Sequence, residues 1–295
     1  MKAIVITESE AAARELCGGA RSLVDEVVYL TFCESVAGIA DKCVRVSVPE
    51  GIAKEAAVDT MWEVVKAEDP QIVLFEPTRR LKIVVGRMAA RDGASVITDV
   101  MAFCDGSTQS MYFGGVGLRT CKSLTAISFC SVSAGAFGEV SPSGTDVVEE
   151  AAFAAPAQTV ELVSREKLPP ADVDLTAAKR IVAAGRGFGK EEDLSLAREF
   201  CKAVGGELGC TRPLTESETW FPREAYIGVS GLMLTPDMYV GIGISGQMQH
   251  MVGVDRARVS FAINKDEHAP IFQKVDYGLV GDIVDVMPKI NAKLA

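Results

Sequence analysis

A five-residue apolar run, Val240-Gly241-Ile242-Gly243-Ile244, stops at Ser245-Gly246 and hands over to Gln247-Met248-Gln249-His250, which can open a helix. A run this short and glycine-punctuated reads as a buried strand. A strand that ends in a small-residue turn and feeds a helix exposes backbone N–H groups and the positive end of a helix dipole, a combination that suits phosphate. Val259 to Ile263 reads as a second buried strand, and its C-terminal edge carries Asn264, Lys265 and Asp266. Adjacent strand ends bearing polar groups are where open α/β sheets bind nucleotides. The stretch therefore predicts a nucleotide-type cofactor on an α/β sheet.

The first 100 residues support the same class. Ala3–Thr7, Val27–Leu30, Val44–Val48, Ile72–Phe75 and Ser95–Ile97 read as strands. Between them, Ala53, Ala57, Met61, Val64 and Val65 share one face of a helix, and Leu81, Val84, Val85, Met88 and Ala89 share a face of the next. Such alternation predicts βαβ units and a mostly parallel sheet. No G-x-G-x-x-G follows the first strand, so this half lacks the usual dinucleotide fingerprint. Met111–Gly117, Leu124–Val132 and Gln158–Leu162 predict strands joined by glycine-rich turns, extending that sheet in antiparallel fashion. Lys167–Asp174 (KLPPADVD) reads as a linker, giving domains of 1–170 and 171–295.

The second domain opens with Ile181–Ala184, a strand running into Gly185-Arg186-Gly187-Phe188-Gly189. Asp193 is placed to cap a helix with the apolar face Leu196, Ala197, Phe200, Cys201 and Val204, which Gly205-Gly206 ends. Gly209-Cys210-Thr211-Arg212-Pro213 follows at the next strand end. Arg186 and Arg212 thus both fall where strands finish. Ser230, between Val229 and Gly231, puts a short hydroxyl on a backbone that can approach a planar ligand closely. Leu279–Leu294 reads as a closing amphipathic helix with Asp282 in its first turn.

Composition narrows the classes. Hydrophobic residues make up 48% of the 295 and mean hydropathy is +0.20, which argues against disorder. No apolar run reaches the roughly 18 residues of a membrane span. Met1 leads straight into a strand, which predicts a chain without a signal peptide and a cytoplasmic location. A net charge of −10 disfavours nucleic-acid binding. The eight cysteines are scattered without a C-x-x-C pair, and there are only two histidines, so neither a metal site nor a disulfide framework is expected.

Three segments carry a family resemblance. Gly243-Ile244-Ser245-Gly246-x-x-Gln249-His250, then Ala262-Ile263-Asn264-Lys265-Asp266-x-x-Ala269-Pro270-Ile271-Phe272, then Asp276-Tyr277-Gly278-x-x-Gly281-Asp282 closely resemble the large (alpha) subunit of electron-transfer flavoproteins. The first half resembles the amino-terminal domain of that subunit more loosely, in TRRLKIVVGRMAARDGASVITDV, FGGVGLRT and SAGAF. The resemblance implies an N-terminal scaffold and partner-interface domain and a C-terminal doubly wound FAD-binding domain.

It also implies a heterodimer with a smaller beta subunit and electron shuttling from dehydrogenases, commonly acyl-CoA dehydrogenases of fatty acid β-oxidation, to another redox partner. By the same resemblance, Arg212 lies against the flavin ring, Ser230 faces its redox-active nitrogen and His250 approaches its pyrimidine carbonyl. Arg186, Thr211, Gly231, Ser245, Gln249, Asn264 and Asp282 line the rest of the pocket. Gly187, Val229, Gly243, Gly246, Gln247, Asp266 and Gly281 complete the expected cofactor-binding set. Ser230 stands where many members have threonine, and Gln247 where many have alanine. Two alternatives stay open: an electron-bifurcating form that splits NADH electrons between ferredoxin and an acyl-CoA substrate, and an NAD-dependent enzyme on a similar sheet. A flavin-free scaffold or nucleotide sensor is the third class.

Overall fold

The computed structural model describes residues 1–145, 147–157, 162–164, 166 and 174–294. The strand expected at Gln158–Leu162 lies outside the described residues except for Leu162, and the expected linker Lys167–Asp174 does so except for Asp174. The chain divides into two compact units, Met1–Tyr112 with Gly117–Glu166, and Phe113–Val116 with Lys167–Ala295.

The first unit alternates as its apolar periodicity predicts. Its elements are β1 (Lys2–Ile6), α1 (Glu10–Ala20), β2 (Glu26–Thr31), β3 (Lys42–Val46), α2 (Val58–Glu68), β4 (Ile72–Phe75), α3 (Arg79–Asp92), β5 (Val96–Cys104), β6 (Ser107–Tyr112), β7 (Gly117–Cys121), β8 (Ser128–Val132) and β9 (Val147–Ala151). α3 shows why the helices begin and end where they do. The Thr78 hydroxyl accepts from Leu81 N at its start, and Gly93 in the left-handed region (φ 64°) closes it. Its buried stripe is Leu81, Val84, Val85, Met88 and Ala89, the predicted face. Helices cover both faces of the sheet: α2 and α3 pack with one apolar cluster, and α1 with the other through Ala13, Leu16 and Cys17.

The strand order is β7-β6-β5-β8-β4-β1-β2-β3-β9. The antiparallel extension is confined to one edge, where β6 pairs antiparallel with β5 and β7 with β6. The expectation for Leu124–Val132 needs correction. β8 is parallel and sits inside the sheet between β5 and β4, because Phe129, Cys130 and Val132 are apolar enough to be buried on both faces.

The second unit contains β10 (Arg180–Ala184), α4 (Leu194–Val204), β11 (Glu207–Cys210), α5 (Arg212–Glu216), β12 (Met238–Ile242), α6 (Met248–Met251), β13 (Val259–Asn264), β14 (Tyr277–Val280) and α7 (Ile283–Leu294). The five strands are all parallel in the order β11-β10-β12-β13-β14. Numbered within the unit this is 2-1-3-4-5, so the chain winds one way from β10 and then returns to wind the other way from β12. That reversal makes a crevice at the carboxyl ends of β10 and β12. α4 and α7 cover one face with Leu194, Ala197, Phe200, Ile283 and Met287. The other face is closed by Leu175, Ile227, Leu234, Met251 and Ile271.

Three local expectations change here. Asp193 does not cap α4 with its side chain: it is helical (φ −67°, ψ −16°) and ends a 3-10 turn, Glu191–Asp193, that leads into the helix. Leu279 and Val280 finish the edge strand β14, and the closing helix starts at Ile283 after Asp282, whose carboxylate accepts from Val284 N at 3.1 Å. The helix opened by Gln247 is a single turn, too short to offer a phosphate much of a dipole.

Candidate functional site at the strand reversal of the second sheet

The glycines after β10 and β12 let two backbones touch. A Cβ on Gly187 would stand 2.5 Å from the Gly243 Cα, and one on Gly185 would stand 2.4 Å from the Gly243 carbonyl oxygen. Gly243 itself has φ +65°, a conformation that suits glycine. Gly185 N and Gly187 N donate to the carbonyls of Ile242 and Gly243, both at 2.9 Å, so the two turns are stitched together. They form the floor of a cavity of about 590 Å³, within the ordinary range for small-molecule sites.

Around that floor the strand ends contribute side chains in turn. Arg186 and Gly187 follow β10, Thr211 and Arg212 follow β11, and Gly243, Ser245 and Gln247 follow β12. Asn264 and Asp266 come from the end of β13, and Asp282 from the residues after β14. Val229, Ser230, Gln249 and His250 close one side. Of the expected set, Gly231, Gly246 and Gly281 do not line the cavity. Gly246 (φ +88°) instead packs its backbone against Ile271, where a Cβ would come within 2.3 Å of Ile271 N. Gly281 N donates to the Asn264 carbonyl. Lys265 lines the cavity beside Asn264 and Asp266, as its place at the strand edge suggests, while lining residues that sequence reasoning did not assign include Pro213, Tyr226, Ala269, Pro270 and Ile283. Tyr226 could have been found from its place four residues before Ser230, whose hydroxyl lies 3.3 Å from its own.

The electrostatics favour an anion. Ser245, Gly246 and Gln247 carry consecutive backbone amides that donate to no other group among the described residues, Ser245 and Gln247 at the cavity and Gly246 behind them, and such amides demand a partner. Arg186 and Lys265 at the same cavity carry no ion pair or side-chain hydrogen bond among the described residues. Arg212 is tied to Glu216 by a 2.7 Å ion pair across one helical turn, with both side chains more than half exposed. Asn264 is less free than its position suggests: its amide donates to the Ile244 carbonyl at 2.9 Å and accepts from Asp266 N at 3.0 Å. Asn264 therefore braces the turn after β12 as well as facing the cavity.

His250 is 6% exposed. Nε2 lies 2.8 Å from the Tyr239 hydroxyl and Nδ1 lies 3.0 Å from the Ile227 carbonyl. Burial pushes its pKa down to about 4, only partly offset by the Ile227 carbonyl. It is a neutral imidazole at pH 7. Cys210, at the end of β11, stays out of the chemistry: burial pushes its thiol up to about 12, leaving no thiolate at neutral pH.

An FAD-sized ligand meets the requirements of this site on three counts. The crossed glycine turns leave room for close backbone approach, the amides after β12 with Arg186 and Lys265 suit a pyrophosphate, and the Ser230 hydroxyl is exposed beside an apolar wall.

Comparison with known proteins points the same way. A family model described as "Electron transfer flavoprotein FAD-binding domain" matches residues 174–255, and one described as "Electron transfer flavoprotein domain" matches residues 5–181. Protein FixB of Escherichia coli O127:H6 (strain E2348/69 / EPEC) is 37% identical over 254 residues, covering 84% of this chain and 81% of its own length. Protein FixB of Escherichia coli O81 (strain ED1a) is 40% identical over 230 residues, covering 76% and 74%. The structure of benzoylformate decarboxylase from Polynucleobacter necessarius covers 98% of this chain and 58% of its own at 13% identity. Its TM-score of 0.28 is too low to carry an argument.

Proposed function

The chain belongs to the electron-transfer flavoprotein family as an alpha-type, FAD-binding subunit, and from that premise we propose that it shuttles electrons while its cofactor occupies the strand-reversal cavity of the second sheet. The observation that carries the placement is the run of amides at Ser245, Gly246 and Gln247, beside the cations Arg186 and Lys265, none of which has a hydrogen-bond or ion-pair partner among the described residues. These groups would hold the pyrophosphate, with Asp282 toward the ribose or adenine end. Thr211, Gln249 and Asn264 shape the walls, and Val229 and Ile244 exclude water. Bound FAD supplies the one- and two-electron chemistry that no side chain here can perform.

The residues set its electron affinity. The Arg212 guanidinium stays protonated under all working conditions and supplies fixed positive charge where the ring is expected. Glu216 shares that charge and solvent screens it, so its influence is tuning rather than dominant. The Ser230 hydroxyl, steadied by Tyr226, can hydrogen-bond the redox-active edge.

In this reading the chain pairs with a smaller beta subunit in the cytoplasm. It accepts electrons from dehydrogenases of the acyl-CoA type, as in fatty acid β-oxidation, and passes them to a further redox partner. Among the described residues no helix is long and apolar enough to cross a membrane, in keeping with a diffusible carrier. The test is anaerobic: the co-purified heterodimer is mixed with an acyl-CoA dehydrogenase and its substrate, and flavin bleaching is followed. Bleaching that depends on both supports the partner assignment. A flavin that stays oxidised with this donor, yet is reduced by NADH, overturns it.

A further inference from the structure

His250 is expected from the family resemblance to reach toward the flavin's pyrimidine carbonyl, but its hydrogen bonds point it elsewhere. A carbonyl oxygen only accepts, so the bond from Nδ1 to Ile227 requires the proton on Nδ1. In the neutral ring Nε2 is then an acceptor, and the Tyr239 hydroxyl donates to it. Tyr239 is fully buried, and a Cβ on Gly241 would come within 2.8 Å of its hydroxyl oxygen, so the backbone leaves that hydroxyl little freedom to turn away. Both ring nitrogens are spent inside the protein.

What the ring does hold is the turn that carries Ser230. Ile227 opens it, and Val229 N donates to the Gln249 carbonyl at 2.8 Å, one residue before His250. Gly228 (φ +143°) presses on the same segment, where a Cβ would stand 2.4 Å from the Gln249 carbonyl oxygen. The turn is therefore clipped to α6 at two points, one backbone and one imidazole.

We propose that His250 is a neutral positioning residue, locked as the Nδ1–H tautomer between the Tyr239 hydroxyl and the Ile227 carbonyl, and that it holds the Ser230 turn against the cavity. The fixed positive charge of the site then comes from its arginines and Lys265, and His250 contributes none. The identity of what Ser230 faces rests on the FAD reading above; the tautomer does not.

The experiment uses the full chain labelled with 15N-histidine. With only His250 and His268 present, and His268 exposed as an internal reference, the two imidazoles are assigned by one substitution, His268→Gln. At neutral pH His250 should show a protonated Nδ1 and an unprotonated Nε2, and Tyr239→Phe should relax it to a mixture of tautomers. A cationic ring, or the Nε2–H tautomer, in the parent chain overturns the proposal. The second arm measures FAD affinity in the heterodimer. His250→Asn places an amide N–H near the Nδ1 position and should bind FAD within about threefold of the parent, whereas His250→Ala should bind on the order of tenfold more weakly. Equal losses in both variants would deny the clip its role. A parent heterodimer that binds no FAD would strike the cofactor reading while leaving the tautomer result standing.

Discussion

The two sheets reverse direction in the same way and use the reversal oppositely. In the first, the reversal lies between β1 and β4; in the second, between β10 and β12. At the first, the chain fills the crevice with its own acid. Glu76, just after β4, accepts from Glu8 N at 2.7 Å, Ser9 N at 3.0 Å and the Ser9 hydroxyl at 2.8 Å, at the entrance to α1. Glu8 in turn bonds Thr78 and Arg80. A carboxylate thus takes the amides that a phosphate would seek. At the second reversal the amides after β10 are turned onto the backbone after β12, but those of Ser245, Gly246 and Gln247 have no acceptor, and Arg186 and Lys265 no ion pair, among the described residues. The contrast teaches that topology offers a nucleotide seat twice, and side-chain chemistry leaves it open once.

The contrast can be broken at its strongest point first. Gly187→Ala would force a Cβ into backbone atoms of Gly243, so it should destabilise the second unit by about 3 kcal/mol. Each unit has one tryptophan, Trp62 in the first and Trp220 in the second. Urea unfolding of single-tryptophan variants should show the Trp220 transition moving more than the Trp62 transition. Equal movement would mean that the glycine crossing is not the local keystone described.

Acid sharpens the comparison next. His250 has a folded pKa near 4, below the roughly 6.5 of an unfolded histidine. Between those values the unfolded chain binds the extra proton, so stability of the second unit falls as pH drops from 6.5 to 4, on the order of 2 kcal/mol in all. In the first unit, burial pushes the Glu68 carboxyl up, but Lys2 and Lys42, each 2.7 Å away, outweigh it and hold it below its ordinary 4.5. The stability that pair provides is present above pH 4.5 and lost below. Between pH 6.5 and 5, then, the Trp220 midpoint should fall while the Trp62 midpoint holds.

Glu76→Ala, which empties the first crevice, should cost about 1 kcal/mol in the Trp62 transition, since three partly exposed bonds are replaced by water. The smallest effect on folding belongs to Arg212→Ala. Its ion pair with Glu216 is exposed, so unfolding midpoints should not move measurably. Potentiometric titration of the flavin should nonetheless show a lower reduction potential, and an unchanged one would remove Arg212 from the ring.

Much of this organisation is legible in the sequence where burial imposes a pattern. The stripe of α3 and the strand-turn runs after β10 and β12 are apolar, periodic and bounded by glycine. Legibility fails where burial is absent or doubled. β9 (VVEEA) and β14 (YGLV) are edge strands with mostly exposed side chains, so no alternation marks them, and β14 reads as the start of the following helix. β5 runs on past Ile97 through Asp99 at φ +56° and a bulge before Ala102, a break that looks like a strand end. In the cavity, the glycines, arginines and Ser230 stand out by position and type. Tyr226, Pro270 and the engaged nitrogens of His250 do not, because what they do depends on residues distant in the chain.

The most direct trial is a structure of the FAD-reconstituted heterodimer. The account predicts the pyrophosphate on the amides of Ser245, Gly246 and Gln247, with the ring between Arg212 and Ser230 and the first-unit crevice still closed by Glu76. Flavin bound at the β1/β4 reversal, or a second-sheet cavity holding no part of it, would contradict the account.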